Sequence, residues 1–172
     1  MADLPPAIEA AFEHDDPQAV FDALMPVMCA GVNAQRCFLY LRDDTTKRGG
    51  TVASWSVDPQ WPDMRGPFQP EMEDLYTADP MMGTGARDPQ ALFIEDVETA
   101  GPEVLNLEFE KDFLHRALIH APVYDEGQFL GILEPCTFGE PHVWTEEDRS
   151  LTAAVQERLG PVAGAWIRAE PR

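Results

Sequence analysis

The chain has 172 residues, 44% of them hydrophobic, which is length and material for one domain with a sizeable core. Its 12 Lys and Arg against 31 Asp and Glu leave a net charge of −19, which excludes binding to a phosphate backbone and disfavours an anionic membrane surface, since both depend on clustered cations. No apolar run approaches the roughly 20 residues of a membrane span, and the acidic start MADLPPAIEAAFEHDD lacks the basic segment of a secretory signal. The expected location is cytoplasmic, with neither nucleic acid nor membrane as a partner.

Residues 1–16 read as a helical extension, with Ile8, Ala11 and Phe12 on one stripe. Asp16 as N-cap and Pro17 at the first helical position open a second helix. Its apolar face carries Phe21, Leu24, Met25 and Met28, Pro26 predicts a bend, and Gly31 suits the exit. Gln35 to Asp43 reads as a buried strand. Thr45 to Gly50 is a turn, and Thr51 to Val57 a second strand carrying Trp55. Four prolines between Asp58 and Pro70 preclude long regular structure there. Glu71 to Tyr76 suits one or two helical turns, and Met81-Met82-Gly83-Thr84-Gly85 a flexible connection into a short strand, Ala91 to Ile94. Pro102 to Leu114 reads as a helix anchored by Val104, Leu105, Phe109 and Phe113.

The most informative stretch follows. Ala117 to Tyr124 is a strand with Pro122 near its end, which places that end at a sheet edge or rim. Asp125-Glu126-Gly127 reads as a three-residue turn, and Phe129 to Phe138 as the returning strand. Thr145 and Asp148 form a capping box at the start of the last helix, whose stripe runs through Leu151, Val155, Leu159, Val162 and Trp166. Gly160-Pro161 should bend or interrupt it.

Three segments carry a resemblance: PQAVFDALMPVMCAGV leading into RCFLYLRD, the phrase LFIEDV, and HRALIHAPVYDEGQFLGILEPCTFGEPHVWTEEDRSL. In that order they resemble the GAF domain, the ligand-binding sensory module of phytochromes, phosphodiesterases and many bacterial regulators. The resemblance covers residues 17–168 and leaves 169–172 as a tail. It implies an α+β (α/β) fold, a central antiparallel sheet of five or six strands with the N- and C-terminal helices on one face. It also implies a pocket between one sheet face and the excursions into the central strands.

With Tyr124 opposite Gln128, Leu118 faces Glu134 and His120 faces Ile132. Alternation then sets Leu118, His120, Ile132, Glu134 and Cys136 on one face, with His120 and Glu134 diagonal neighbours. These two form either a satisfied structural pair or the polar part of a small-molecule pocket. Trp55, Tyr76 and Arg87 are further pocket candidates. On the last helix, Leu151, Val155, Leu159, Val162 and Trp166 either cover the sheet or pair with a second copy, since terminal helices of GAF proteins often bundle across a dimer.

Missing residues narrow the function. Aligning HRALIHAPV on bilin-binding relatives puts Leu105 and Asn106 where a cysteine–histidine pair holds the chromophore, so covalent bilin attachment of that kind is not expected. The Asp-x-Cys-Phe alternative is missing too. Residues 44–135 contain no cysteine, which removes the thiolates that methionine sulfoxide reductases of this fold require. The cyclic-nucleotide signature has no counterpart. The cysteines, Cys29, Cys37 and Cys136, are too scattered for a zinc site and read as reduced, with Cys29 and Cys37 as packing residues. The expected function is therefore a stand-alone, non-catalytic sensory or regulatory module. It would bind an unidentified small molecule without a covalent cofactor or metal, and signal to a separate protein as a homodimer. The alternatives are a dimerisation module with an empty pocket and, third, a thiol-dependent enzyme.

Overall fold

Asp16 accepts a hydrogen bond from the Ala19 amide and Pro17 follows it, so α2 starts where this pair predicts and runs Pro17–Gly31, through Pro26. The computed structural model describes residues 4–171, so residues 1–3 of the expected extension and residue 172 of the tail lie outside the described residues. Ahead of α2, Pro6–Ala11 forms α1. Strands β1 (Arg36–Asp43) and β2 (Arg48–Ser56) follow, then a long excursion holding β3 (Gln69–Pro70), α3 (Leu75–Ala78) and α4 (Pro80–Gly85). Next come β4 (Leu92–Ile94) and α5 (Leu107–Glu110), extended by a tight turn of helix at Lys111–Phe113. The hairpin of β5 (Ala117–Asp125) and β6 (Gln128–Thr137) leads to α6 (Glu146–Ala169), which opens on the Thr145–Asp148 capping box.

The strands form one six-stranded antiparallel sheet in the order β3-β2-β1-β6-β5-β4. Its two faces have different covers. One packs on α1, α2 and α6 through a core that includes Phe21, Leu24, Leu39, Ile119, Leu133 and Val155. The other is covered by the excursions between β2 and β5, in two smaller clusters: Met81, Leu105, Leu118 and Cys136 in one, Phe38, Met82, Phe129 and Ile132 in the other. The expected α+β architecture with the terminal helices on one face is the one found. Among the described residues no helix is long and apolar enough to cross a membrane.

Several local expectations are corrected. Asp125 pairs with Gln128, so the hairpin loop is the two residues Glu126 and Gly127, at φ +49° and +80°, the two positive angles of a primed turn. A register shift at Val123/Tyr124 follows, and beyond it Leu118 faces Cys136 rather than Glu134. The pairing has slid by an even number of residues, so every side chain keeps the face assigned to it. Pro122 lies beyond the three β5 residues that β4 pairs, consistent with a rim position. Met81 to Gly85 is helical rather than a flexible connection, because Asp79 caps α4 by accepting from the Met81 and Met82 amides. The helix expected over Pro102 to Leu114 shrinks to α5 and its tight extension, since Asn106 starts a new cap and Leu114 turns left-handed at φ +64°.

The last helix is not interrupted at Gly160-Pro161. Gly160 lies against the β5 backbone, and a Cβ there would collide with the Tyr124 carbonyl oxygen. The helix stripe faces its own core: Val155 and Leu159 are fully buried against the sheet and α2, which leaves them no surface for a second copy. Trp166 is half-buried, packs against Phe21 and Phe68 and donates its indole N–H to Gln18.

Two substitutions follow. Helix propensity alone would make Gly160→Ala stabilising by about 1 kcal/mol, but the collision predicts a net loss of roughly 1–3 kcal/mol; denaturant titration decides the sign. Trp166→Ala should lower folding stability by about 2–3 kcal/mol. An unchanged denaturation midpoint with weakened self-association in sedimentation would return the residue to the interface role.

Candidate functional site

Glu134 is the residue around which the site is built. It lies in β6, with β1 on one side and β5 on the other, and alternation turns it away from the terminal helices. The register that sets Leu118 against Cys136 and Ala121 against Leu133 brings His120 directly opposite it. His120 Nδ1 lies 3.1 Å from Glu134 Oε2. The predicted interaction exists, as a direct cross-strand pair rather than a diagonal one.

Two more residues extend the pair into a chain. Just before β5, His115 sits with Nε2 2.7 Å from Glu110 Oε2 on α5 and Nδ1 3.5 Å from Glu134 Oε1. The first is a hydrogen bond; the second is too long to be one. Glu134 Oε1, His115 Nδ1 and His120 Nε2 are accordingly buried with no hydrogen-bond partner. Asp79, buried at the start of α4, completes a group of three carboxyls and two imidazoles.

Burial dominates the electrostatics. Desolvation, reinforced by neighbouring Glu134, pushes the Glu110 carboxyl up to about 8. Desolvation also raises Glu134 to about 7, opposed by His115. Asp79 is raised by desolvation despite its two amide donors. The same loss of water lowers His115 to about 4 and depresses His120. A neutral pairing, Glu110 O–H donating to the His115 imidazole, fits these directions. Nearby Arg36 is fully buried; it donates to the Phe113 and Pro62 carbonyls and stacks over Phe38 and Phe138.

Above the polar floor is a cavity of about 190 Å³. Phe38, Tyr40, Phe109 and Phe113 supply aromatic wall, Met64, Leu75, Met82 and Ile132 aliphatic wall, and Asp79, Glu110 and Glu134 carboxyls. Of the residues singled out from the sequence, Ile132 and Glu134 line it, and His120 lies behind Glu134. Leu118 and Cys136 share that sheet face but pack into the neighbouring cluster with Met81 and Leu105. Trp55 pairs with Cys37, which packs in the terminal-helix core, so it is on the opposite face and partly exposed. Tyr76 lies outside the cavity beneath the Arg42 guanidinium, and Arg87 is exposed on the loop after α4. Asp79, Glu110 and His115 are members that sequence reasoning missed. Asp79-Pro80 repeats the cap signature of Asp16-Pro17 and could have been found; nothing local marks Glu110 or His115.

Chemically the site is a small, partly enclosed cavity with hydrogen-bonding carboxyls. Among the described residues no group of three or more His, Cys, Asp or Glu is placed to hold a metal ion. All three cysteines are buried and unbonded. Desolvation raises Cys37 well above the usual thiol value and Cys136 to about 12.

Comparison with known proteins agrees with this fold. The GAF domain family model matches residues 16–160, and the chain belongs to that family. Among solved structures, the third GAF domain of Slr1393 from Synechocystis is 23% identical with a TM-score of 0.70, over 90% of this chain and 98% of that one. The GAF domain of a phosphoenolpyruvate-protein phosphotransferase from Coxiella burnetii is 16% identical with a TM-score of 0.71, over 94% of this chain and 89% of that one. A far-red absorbing protein with bound biliverdin IXα is 14% identical with a TM-score of 0.72, over 91% and 94%. At these identities the likeness is one of fold. No curated protein matches the chain.

The shifted groups predict a pH profile. Glu110 and Glu134 titrate higher in the folded chain than their ordinary value of 4.5, so between there and about pH 7–8 the folded state holds more protons and stability falls as pH rises. His115 and His120 act oppositely, His115 between about 4 and 6.5, where stability rises with pH. Above pH 6.5 the carboxyls act alone. Melting temperature should therefore decline from about pH 6.5 to 8, and Glu110→Gln should flatten the decline.

Proposed function

We propose that this GAF domain is a non-catalytic sensory module that binds a small molecule in the cavity over Glu134 and reports occupancy through protein association. The observation that carries this reading is the unpartnered carboxylate oxygen, Glu134 Oε1, buried beside an apolar cavity. A buried polar atom without a partner costs about 1–3 kcal/mol, and a ligand donor would offset it. Mostly apolar walls with a few convergent polar groups are the usual make-up of a small-molecule site.

The cavity volume sets the scale of the ligand. At about 190 Å³ it is below the roughly 300–1,000 Å³ that drug-sized ligands occupy, so the ligand is a compact metabolite rather than an open-chain tetrapyrrole such as the biliverdin of the far-red absorbing neighbour. No cysteine lines the cavity, which supports non-covalent binding. Raised thiol titration at Cys37 and Cys136 and their burial weigh against a thiolate nucleophile, and so against the thiol-dependent enzyme.

One set of contacts supports a route for the output. Gln156 on α6 donates both to the Pro122 carbonyl of β5 and to the Pro89 carbonyl between α4 and β4. Movement of that excursion on ligand entry would be felt at α6, where a signalling protein or a second copy could dock. Within the former stripe, Leu151, Val162 and Trp166 keep partial exposure for such a contact.

Native mass spectrometry of the gently purified protein should find a small non-covalent adduct. Ile132→Phe, which fills the cavity from β6, should remove that adduct while keeping a cooperative melt. An adduct that survives the filled cavity, or a wild-type chain with no adduct and no response to a metabolite library, overturns the reading.

A further inference from the structure

The cavity has a charge character as well as a size. Its three ionisable side chains besides the Tyr40 phenol, Asp79, Glu110 and Glu134, are all carboxyls, Thr51 and Tyr40 add hydroxyls, and no Lys, Arg or His is among the lining residues. The nearby guanidinium groups lie outside the lining: Arg36 donates through its two terminal nitrogens to the Pro62 and Phe113 carbonyls and keeps only Nε unpartnered, and Arg42 is paired with Glu71 and Asp44. An anionic ligand would meet three acids and no cation. A neutral, acceptor-rich ligand would find the Thr51 hydroxyl as a donor but would leave Glu134 Oε1 without one.

A donor-rich ligand with positive charge meets the opposite situation. Asp79 Oδ1 caps α4, Glu110 Oε2 takes His115 and Glu134 Oε2 takes His120. Glu134 Oε1, with His115 Nδ1 at 3.5 Å, too far to donate, has no hydrogen-bond partner, and its side chain is only 4% exposed. Four aromatic residues, Phe38, Tyr40, Phe109 and Phe113, line the cavity together with these acids, and aromatic faces attract cations held above them. The overall charge of −19 draws cations toward the molecule.

We infer that the ligand of this cavity is a small organic cation, a protonated amine on an apolar and preferably aromatic body, with its ammonium donating to Glu134 Oε1 and its body packed among Phe38, Phe109 and Phe113. This inference rests on the reading of the cavity as a receptor. It adds the ligand class. Two of the three acids sit on the excursions, Asp79 before α4 and Glu110 on α5, and only Glu134 belongs to the sheet. A cation drawing on all three would tie both excursions to β6.

Three probes of one shape separate charge from fit: phenethylamine, phenethyl alcohol and hydrocinnamate, titrated calorimetrically into wild type, Ile132→Phe and Glu134→Gln. Phenethylamine should bind wild type about tenfold or more tighter than the alcohol, as a charge-assisted hydrogen bond requires, and hydrocinnamate weakest of all. Glu134→Gln should shrink the amine's advantage to less than about threefold. If Glu134→Gln does not fold, Asp79→Asn, altered outside the sheet with a side chain that still caps α4, carries the same expectation of weakened amine binding. Equal or tighter binding of the alcohol or of hydrocinnamate, lost in Ile132→Phe, overturns the cationic class and leaves the receptor standing. An amine preference unchanged in the acid variants overturns it equally. If none of the probes binds, or binding persists in Ile132→Phe, the receptor falls along with the ligand class.

Discussion

A carboxyl group at the middle of a β-strand, buried and with one oxygen unpartnered, is the constraint around which the cavity side of this protein is arranged. Burying Glu134 as an anion with no compensation is prohibitively unfavourable. The molecule answers in two ways: His120 satisfies one oxygen from the adjacent strand, and desolvation shifts the carboxyl toward its neutral form. Both answers need the register of β5 on β6 found here. An odd slip would send His120 into the terminal-helix core and leave Glu134 alone.

The two sheet faces do different work. On the helix side, α2 and α6 cover a continuous apolar core, and Gly160 makes a close approach to the β5 backbone. On the other side the cover is made of short pieces, each held by a specific cap or ring contact. Asp79 starts α4, Asn106 starts α5 and donates to the Ala78 carbonyl, and Arg36 ties the Phe113 and Pro62 carbonyls to β1. Short elements with few buried contacts open more readily than packed helices, which suits the side where ligand entry is proposed. Arg36 has a double part here. Its guanidinium holds the excursions down, and its charge partly offsets the rise at Glu134.

Legibility followed physical range. Asp16-Pro17 and Thr145–Asp148 act over three or four residues, and both were readable as helix starts. The alternation of β5 and β6 was readable because the period of a strand is short. The hairpin turn was not, because a register shift at Val123/Tyr124 exchanges one turn length for another at almost no cost in sequence pattern. Asp79-Pro80 carried a cap signal that the glycines after it obscured. The contrast between Gly160-Pro161 as a helix breaker and the unbroken α6 has a similar origin: propensity is local, and packing on β5 overrides it.

By itself the sequence determined the family, the sheet with its helices on one face, the absence of a cysteine where bilin or thiol chemistry would need one, and the two residues at the heart of the site. Tertiary structure alone decided what surrounds them. Glu110 and His115 come from a loop and a short helix whose local sequence marks neither, and they reach Glu134 only because the excursion folds back over the sheet. It also decided that Val155 and Leu159 are core rather than interface, since an apolar stripe looks the same whether its own sheet or a second chain covers it. Patterns within one element are written in neighbouring residues. Contacts between elements, and the pKa values they shift, depend on burial that no short window of sequence contains.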